Sequence, residues 1–381
     1  MRKYKINYSK NLFFKVVVML RIGIVALYSG SSGRKSYYNQ QEIGMAKGFA
    51  TYGYECFVFY PDGINPCEEL EIINKKVTVV HCPGKKIGVH GKFDWNILTK
   101  YRLDYVQSNT DTQYFAFDCI RFCEKNDIPV YHYIGTTKSD SDSCFKRWIM
   151  HLLYKRNIVC LKKHKCFSKT RAVADELKRL GVDSEVVPVG LDLDCIPDIK
   201  VNKEQAREVL KLPQDKKILL FVGRIDVYKR PLDFIRMLKD LNDDYYAVMI
   251  GSGKLNDKLQ RSIDNDNLSS KLCWIKSVPN QDIHMYYKAS DYFINLNDHE
   301  IFGMSILEAM YQGITVIAMH APGPDTIIEN GKSGYLVKNL GEISLLLTKG
   351  VTCNEWCIKQ QVVEEFCWKI IVKKIIKWMK S

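Results

Sequence analysis

Short apolar runs alternate with stretches of helical period along most of this 381-residue chain. In the first half the runs are Ile22–Tyr28, Tyr54–Tyr60, Val77–His81, Asp104–Gln107, Pro129–Ile134 and Glu185–Val189, with amphipathic stretches such as Gln41–Thr51 and Thr112–Lys125 between them. The second half repeats the rhythm with Ile218–Val222, Tyr245–Ile250, Lys271–Ile275, Tyr292–Leu296, Thr315–Ala318 and Gly334–Val337, interleaved with Pro231–Leu241, Gln281–Lys288 and Ser305–Tyr311. A strand followed by a helix rejoins its sheet in the same direction, so the pattern predicts an α/β chain with parallel sheets covered by helices on both faces. One stretch, Asp192–Asn202 around Pro197, has neither period and reads as a linker. It divides the chain into residues 19–191 and 203–352, with a basic arm over 1–18 and a closing segment over 353–381. Open sheets of this kind bind ligands beyond the carboxyl ends of their strands. Two such sheets facing each other leave a cleft, and pockets concentrate at domain interfaces.

Fifty-six Lys and Arg against 43 Asp and Glu leave a net charge of +13, which favours nucleic acid, acidic lipid or a phosphorylated substrate. The excess is clustered. The first 21 residues hold six cations, Ser143–Arg171 holds nine and Phe366–Ser381 holds five, all without an acid. No helix-turn-helix, RRM or zinc-finger pattern accompanies them, so nucleic acid is not an expected partner. Placed on a helix, Trp368–Lys380 puts Trp368, Ile371, Val372, Ile375, Trp378 and Met379 on one face and Lys369, Lys373, Lys377 and Lys380 on the other. This is the pattern of a closing helix packed on the protein and also of an interfacial membrane helix. Lys146–Arg171 contains Trp148, Leu152 and Leu153, interrupted by Arg156; it is expected to seat the first half on anionic lipid, the alternative being a solvated basic helix. The longest apolar candidate, Leu12–Tyr28, is broken by Lys15 and Arg21, short of the ~18–20 uncharged residues that a spanning helix needs. A start at Met19 would make the basic arm an artefact. Thirteen scattered cysteines without a C-x-x-C pair fit a reduced cytosolic chain with no structural zinc. The expected location is cytoplasmic, peripheral at the inner face of the plasma membrane.

Two constellations carry chemistry. In the first, Phe221-Val222-Gly223-Arg224-Ile225-Asp226-Val227-Tyr228-Lys229-Arg230-Pro231, an apolar strand ends at a glycine and cations precede a helix. Backbone N–H groups and a helix N-terminus suit diphosphate oxygens, while Arg and Lys neutralise the charge. A solvated basic loop would read similarly. In the second, His299-Glu300-Ile301-Phe302-Gly303-Met304-Ser305-Ile306-Leu307-Glu308-Ala309, two glutamates are separated by seven residues across a helix start near Gly303. The amides of Phe302, Gly303 and Met304 face an anion there, and Glu308 could accept bonds from vicinal hydroxyls. A helix-start glutamate favoured by the dipole, with an ordinary surface glutamate after it, is the plainer reading.

The two segments, in this order, resemble the G-R-x4-K-[RG] and E-x7-E elements of the retaining nucleotide-sugar glycosyltransferases of family 4 (glycosyl transferases group 1), which have the GT-B fold. The resemblance extends to Val187–Asp192, Gly251-Ser252-Gly253, Ala289-Ser290-Asp291, Glu308-Ala309-Met310 with Gly313, and Gly331–Val337. It covers the C-terminal half almost continuously and is weaker in the N-terminal half. It implies two Rossmann-like domains facing across a cleft, acceptor domain first and nucleotide-sugar domain second, with the C-terminal helix packing back toward the N-terminal domain. Carried over by position, Arg224 and Lys229 bind the leaving diphosphate together with Gly223. Glu300 contacts the donor sugar, Glu308 the ribose, and the backbone of Phe302, Gly303 and Met304 the sugar and phosphate. Gly251 and Ser252 form the glycine turn, and Lys276 belongs to a loop, Ile275–Pro279, lying against the base. In the first half, Gly30 and Gly33 stand where the family has paired glycines near the phosphate, and His132 stands where some relatives have an active-site histidine. A surface loop and a structural histidine are the respective alternatives.

The resemblance implies transfer of a sugar from a nucleotide diphosphate sugar to a lipid-linked or glycan acceptor, with retention, in cell-surface polysaccharide synthesis. No cofactor or essential metal is expected. Asp140-Ser141-Asp142, Asp264-Asn265-Asp266 and Asp192-Leu193-Asp194 do not follow hydrophobic strands as a metal clamp would. A GT-B sugar-nucleotide epimerase and a non-catalytic basic binding protein or scaffold are the competing readings.

Overall fold

The computed structural model describes residues 19–27, 41–62, 67–88, 90–138 and 143–381. The basic arm 1–18, Gly30, Gly33, Asp140 and Asp142 lie outside them. Nine strands form the first sheet: β1 (Arg21–Val25), β2 (Glu55–Asp62), β3 (Glu69–Asn74), β4 (Val77–Ile87), β5 (His90–Phe93), β6 (Tyr105–Ser108), β7 (Val130–Ile134), β8 (Lys165–Ser168) and β9 (Ser184–Val186). Their order is β3-β4-β2-β1-β6-β7-β8-β9, with β5 paired to β4. The second sheet has β10 (Lys217–Val222), β11 (Tyr245–Ile250), β12 (Leu272–Ile275), β13 (Tyr292–Asn295), β14 (Thr315–Met319) and β15 (Tyr335–Val337), in the order β12-β11-β10-β13-β14-β15.

All pairs of the second sheet are parallel, and both of its faces are covered. That is why its strands read as unbroken apolar runs: Ile218, Leu219, Leu220, Val248, Met249, Val316 and Ile317 are fully buried. The first sheet departs from the all-parallel expectation. β3 and β5 both run antiparallel to β4, and β4 continues past His81 to Ile87. These edge elements carry no apolar signature, because β3 is largely exposed and the extension of β4 is the lysine-bearing Gly84-Lys85-Lys86-Ile87. Residues 192–202 hold a single 3-10 turn, Leu193–Cys195, and end at Asn202, which caps the next helix through a reciprocal bond with Gln205.

The closing helix, Trp368–Met379, resolves an open choice. Trp368, Ile371, Val372, Ile375 and Ile376 are buried, against the helix Gln41–Ala50 and the first sheet. Trp378 meets Tyr105, Tyr131 and Phe167 at ring separations of 6.0, 5.5 and 6.0 Å. The interfacial-helix reading is thereby corrected: the face that would enter a membrane is spent on the protein. The preceding helix, Glu355–Glu365, packs instead on Met304–Tyr311 of the second half, so residues 355–379 cross from one half to the other.

Candidate active site

In each sheet the first strand of that half, β1 or β10, is central and its successors depart in both directions, so the crevice opens at the carboxyl ends near it. A cavity of about 700 Å³ lies there, with walls from both halves. Gly223, Arg224 and Lys229 line it after β10, Gly251 and Ser252 after β11, Lys276 after β12, and Glu300 with Phe302, Gly303 and Met304 after β13. The opposite wall comes from Gln41, Asp111, Gly135, Thr136, Lys169 and Val189.

Two glycines are needed for this geometry. Gly251 has φ +142°, and a Cβ on it would lie 1.9 Å from the Gly223 carbonyl oxygen, so the turns after β10 and β11 approach at backbone distance. Gly303, at φ +97°, turns the chain into the helix Met304–Tyr311, whose first amides open onto the cavity.

At the centre, Lys229 donates to Glu300 at 2.5 Å, and both side chains are largely buried. The side-chain amide of Asn297 also donates to Glu300, at 3.1 Å, and that of Asn295 reaches it at 3.5 Å. Arg224 donates to the Tyr228 hydroxyl at 2.8 Å and lies 3.5 Å from Asp226. The cations of Arg224 and Lys229 sit over the Tyr228 ring at 5.3 and 5.6 Å. Tyr228 therefore gathers the two cations that flank it in sequence. Lys276 lies over Trp274, whose indole donates to the Gly251 carbonyl at 2.9 Å. Arg230 turns away and binds Asp233 and Asp298 at 2.8 and 3.1 Å. Three cations and a helix N-terminus thus line the cavity that holds this carboxylate, an arrangement that can hold a diphosphate and oppose positive charge on a neighbouring carbon.

Two expected site residues are placed elsewhere. His132 is fully buried on β7, with neither ring nitrogen hydrogen-bonded, and its ring faces His164 at 5.5 Å rather than the cavity. Burial, with His164 adding to it, pushes its pKa down to about 3. His132 is therefore not among the residues that line the cavity. Its neighbours Tyr131 and Tyr133 use the other face of the strand, toward Trp378 and the Pro188 carbonyl. Glu308 is 4% exposed, accepts from the Tyr287 hydroxyl at 3.0 Å and is not part of the cavity wall. Of the aspartates set aside as metal ligands, Asp192 is bound by Lys47 at 2.7 Å and Asp266 by Lys239 at 2.6 Å. Asn295, Asn297, Asp111 and Lys169 were not anticipated. Asn297, Asp111 and Lys169 lie within a few residues of strand C-termini, as Asn295 itself does, and that rule could have flagged them.

Residues 202–346 match the family described as glycosyl transferases group 1. The chain is a glycosyltransferase of GT-B fold, and its second half matches group 1. It is similar to the alpha-monoglucosyldiacylglycerol synthase of Acholeplasma laidlawii, 21% identical over 332 residues that cover 79% of this chain and 81% of that one. Among solved structures, sucrose-phosphate synthase from Thermosynechococcus elongatus superposes with a TM-score of 0.75 at 14% identity, covering 95% of this glycosyltransferase and 98% of the synthase. HepE of Anabaena, solved with UDP and glucose, superposes with a TM-score of 0.69 at 15% identity over 95% and 99% of the two chains.

Proposed function

We propose that this glycosyltransferase moves a sugar from a nucleotide diphosphate sugar, with retention of configuration, to a lipid-linked or polysaccharide-precursor acceptor at an anionic membrane surface. The observation that carries the donor half of this reading is that Arg224, Lys229, Lys276 and the helix start at Gly303 line one cavity with Glu300, which Lys229 binds. In this reading a diphosphate takes the place of Glu300 as partner of Lys229, and Arg224 swings onto the same oxygens. The carboxylate then faces the reacting carbon of the sugar, and leaving-group stabilisation supplies most of the rate. These cations neutralise the departing diphosphate without a metal ion. UDP in the HepE structure and the glycolipid named for the Acholeplasma relative support a nucleotide donor and a lipid acceptor.

The membrane part rests on the helix Cys144–Leu161. Its second half is anchored by Tyr154, Ile158 and Leu161, whereas Phe145 and Trp148 are exposed and stack on each other at 6.3 Å beside Arg147. Among the described residues no helix is long and apolar enough to cross a membrane.

The test is a panel of nucleotide sugars, read by thermal shift and by release of nucleoside diphosphate. One donor is expected to stabilise the wild type. Glu300→Gln should bind that donor yet turn over roughly 100- to 1000-fold more slowly, the usual cost of removing one electrostatic contact to a transition state. A well-folded preparation that binds no donor would sink the proposal.

A further inference from the structure

The donor reading leaves one cation in the cavity without a role. Lys169 directly follows β8, and its amide donates to the Ile134 carbonyl at 2.9 Å, so its backbone is tied to the end of β7. The side chain then runs across Gly135. A Cβ on that glycine would come within 2.8 Å of Lys169 Cδ and 3.0 Å of Nζ, so the lysine lies directly over the glycine and any side chain there would displace it. The ammonium sits 5.2 Å from the centre of the Tyr133 ring, and that ring is fixed by its hydroxyl donating to the Pro188 carbonyl at 2.9 Å. Its one hydrogen-bond partner among the described residues is neutral, the Gln41 side-chain oxygen at 3.3 Å.

No carboxylate of the described residues forms an ion pair with Lys169, although it faces a cavity that contains two. Glu300 belongs to Lys229. Asp111 is held by the amides of Gly135 and Thr136, both on a single oxygen, at 2.5 and 3.2 Å. The lysine is thus positioned by packing rather than neutralised, which is the condition for recognising an incoming anion.

We propose that the first-half wall of this cavity is an acceptor subsite for a phosphate-bearing molecule, with Lys169 binding the phosphate and the second Asp111 oxygen accepting a hydrogen bond from a hydroxyl of the same molecule. The proposal rests on the transferase reading above. It narrows the acceptor to one that carries phosphate close to its hydroxyls, whether a phospholipid headgroup or a soluble phosphate ester.

The test uses the full chain saturated with UDP, so that added phosphate cannot occupy the donor site. In one arm, inorganic phosphate and sn-glycerol 3-phosphate are titrated by calorimetry. In the other, retention on phosphatidylcholine vesicles with and without phosphatidylglycerol is measured. Lys169→Gln should weaken phosphate binding about ten-fold or more in at least one arm, the loss expected for a charge-assisted bond. Lys169→Arg should recover part of it, and UDP affinity should be unchanged in both variants. Gly135→Ala should weaken the same binding with the charge still present, because it displaces the lysine. An effect in the soluble arm identifies a phosphate ester, and an effect only with vesicles identifies a lipid headgroup. Lys169→Gln indistinguishable from wild type in both arms overturns the subsite. Failure of the wild type to bind UDP would instead count against the donor reading. The phosphate titration would then be run on the chain alone, where Lys169→Gln must still weaken binding for the subsite to stand.

Discussion

The pair Lys229–Glu300 and the residue His132 show what a single position discloses in sequence and what it does not. Lys229, Arg224 and Gly303 were legible because their placement follows from local backbone: a glycine after a buried strand, a turn, and a helix start. The partners that hold Glu300, Asn295 and Asn297, lie on and just after β13 and have no periodic signal of their own. For His132 the strand was legible but the face was not, since neighbouring side chains point to opposite sides and a one-residue ambiguity reverses the outcome. Its burial has a thermodynamic consequence. The folded pKa of about 3 lies below the ordinary value of 6.5, so the unfolded chain takes up a proton that the folded chain refuses. The stabilisation is complete above pH 6.5 and is lost as pH falls from there toward 3. The loss approaches about 1.4 kcal/mol per pH unit, so roughly 2 kcal/mol at about pH 5. Urea unfolding of wild type and His132→Gln at about pH 7.5 and pH 5 measures it, and the variant should lose less on acidification. An identical pH dependence in both proteins would show that this imidazole does not titrate as its burial implies.

At the scale of elements, the sequence displayed the strands of the second sheet and most of the buried ones of the first, but it missed β8, whose short buried run lies inside the basic stretch Lys146–Arg171, and the elements that edge the first sheet. β3 and β5 are held by β4 and need no apolar run, so hydrophobic period carries no trace of them. The closing helix was visible as amphipathic, but an amphipathic face does not name its partner. The structure supplies it in one side chain. Trp368 enters a hollow made by three glycines of the first half: a Cβ on Gly44 would lie 2.3 Å from its Nε1, one on Gly48 2.9 Å from its carbonyl oxygen, and one on Gly190 2.6 Å from its ring. Two of these glycines lie on the helix Gln41–Ala50, where glycine otherwise weakens a helix, so packing explains their presence there. Trp368→Ala should cost about 3–5 kcal/mol as a large buried cavity, and Gly44→Ala about 1–3 kcal/mol by overpacking. Denaturant unfolding reads both. A Gly44→Ala chain as stable as wild type would mean that the closing helix can shift on the first half without loss.

At the scale of the molecule, the net charge of +13 includes two basic segments among the described residues that differ in what happens to their apolar side chains. The lysines of the closing helix lie on its exposed side, while its apolar side is buried, so that segment offers charge without anything to insert. The helix Cys144–Leu161 offers both. Phe145 and Trp148 are 69% and 58% exposed, and Leu152 and Val159 add further apolar surface along a helix that also carries Arg147 and Lys155. Charge attraction to an anionic surface contributes about 1 kcal/mol per cation and fades with salt, whereas each aromatic ring that enters the interface contributes about 1.5–3 kcal/mol and does not. The two contributions can therefore be separated. Wild type should sediment with phosphatidylglycerol-containing vesicles more than with neutral ones, and salt should reduce but not abolish the binding. Phe145→Ala combined with Trp148→Ala should lower the salt-resistant part about ten-fold or more. Lys373→Gln on the closing helix should alter only the salt-sensitive part. If the aromatic double variant binds as wild type does at every salt concentration, attachment is purely electrostatic, and the helix Cys144–Leu161 is a solvated basic surface rather than the membrane-facing element.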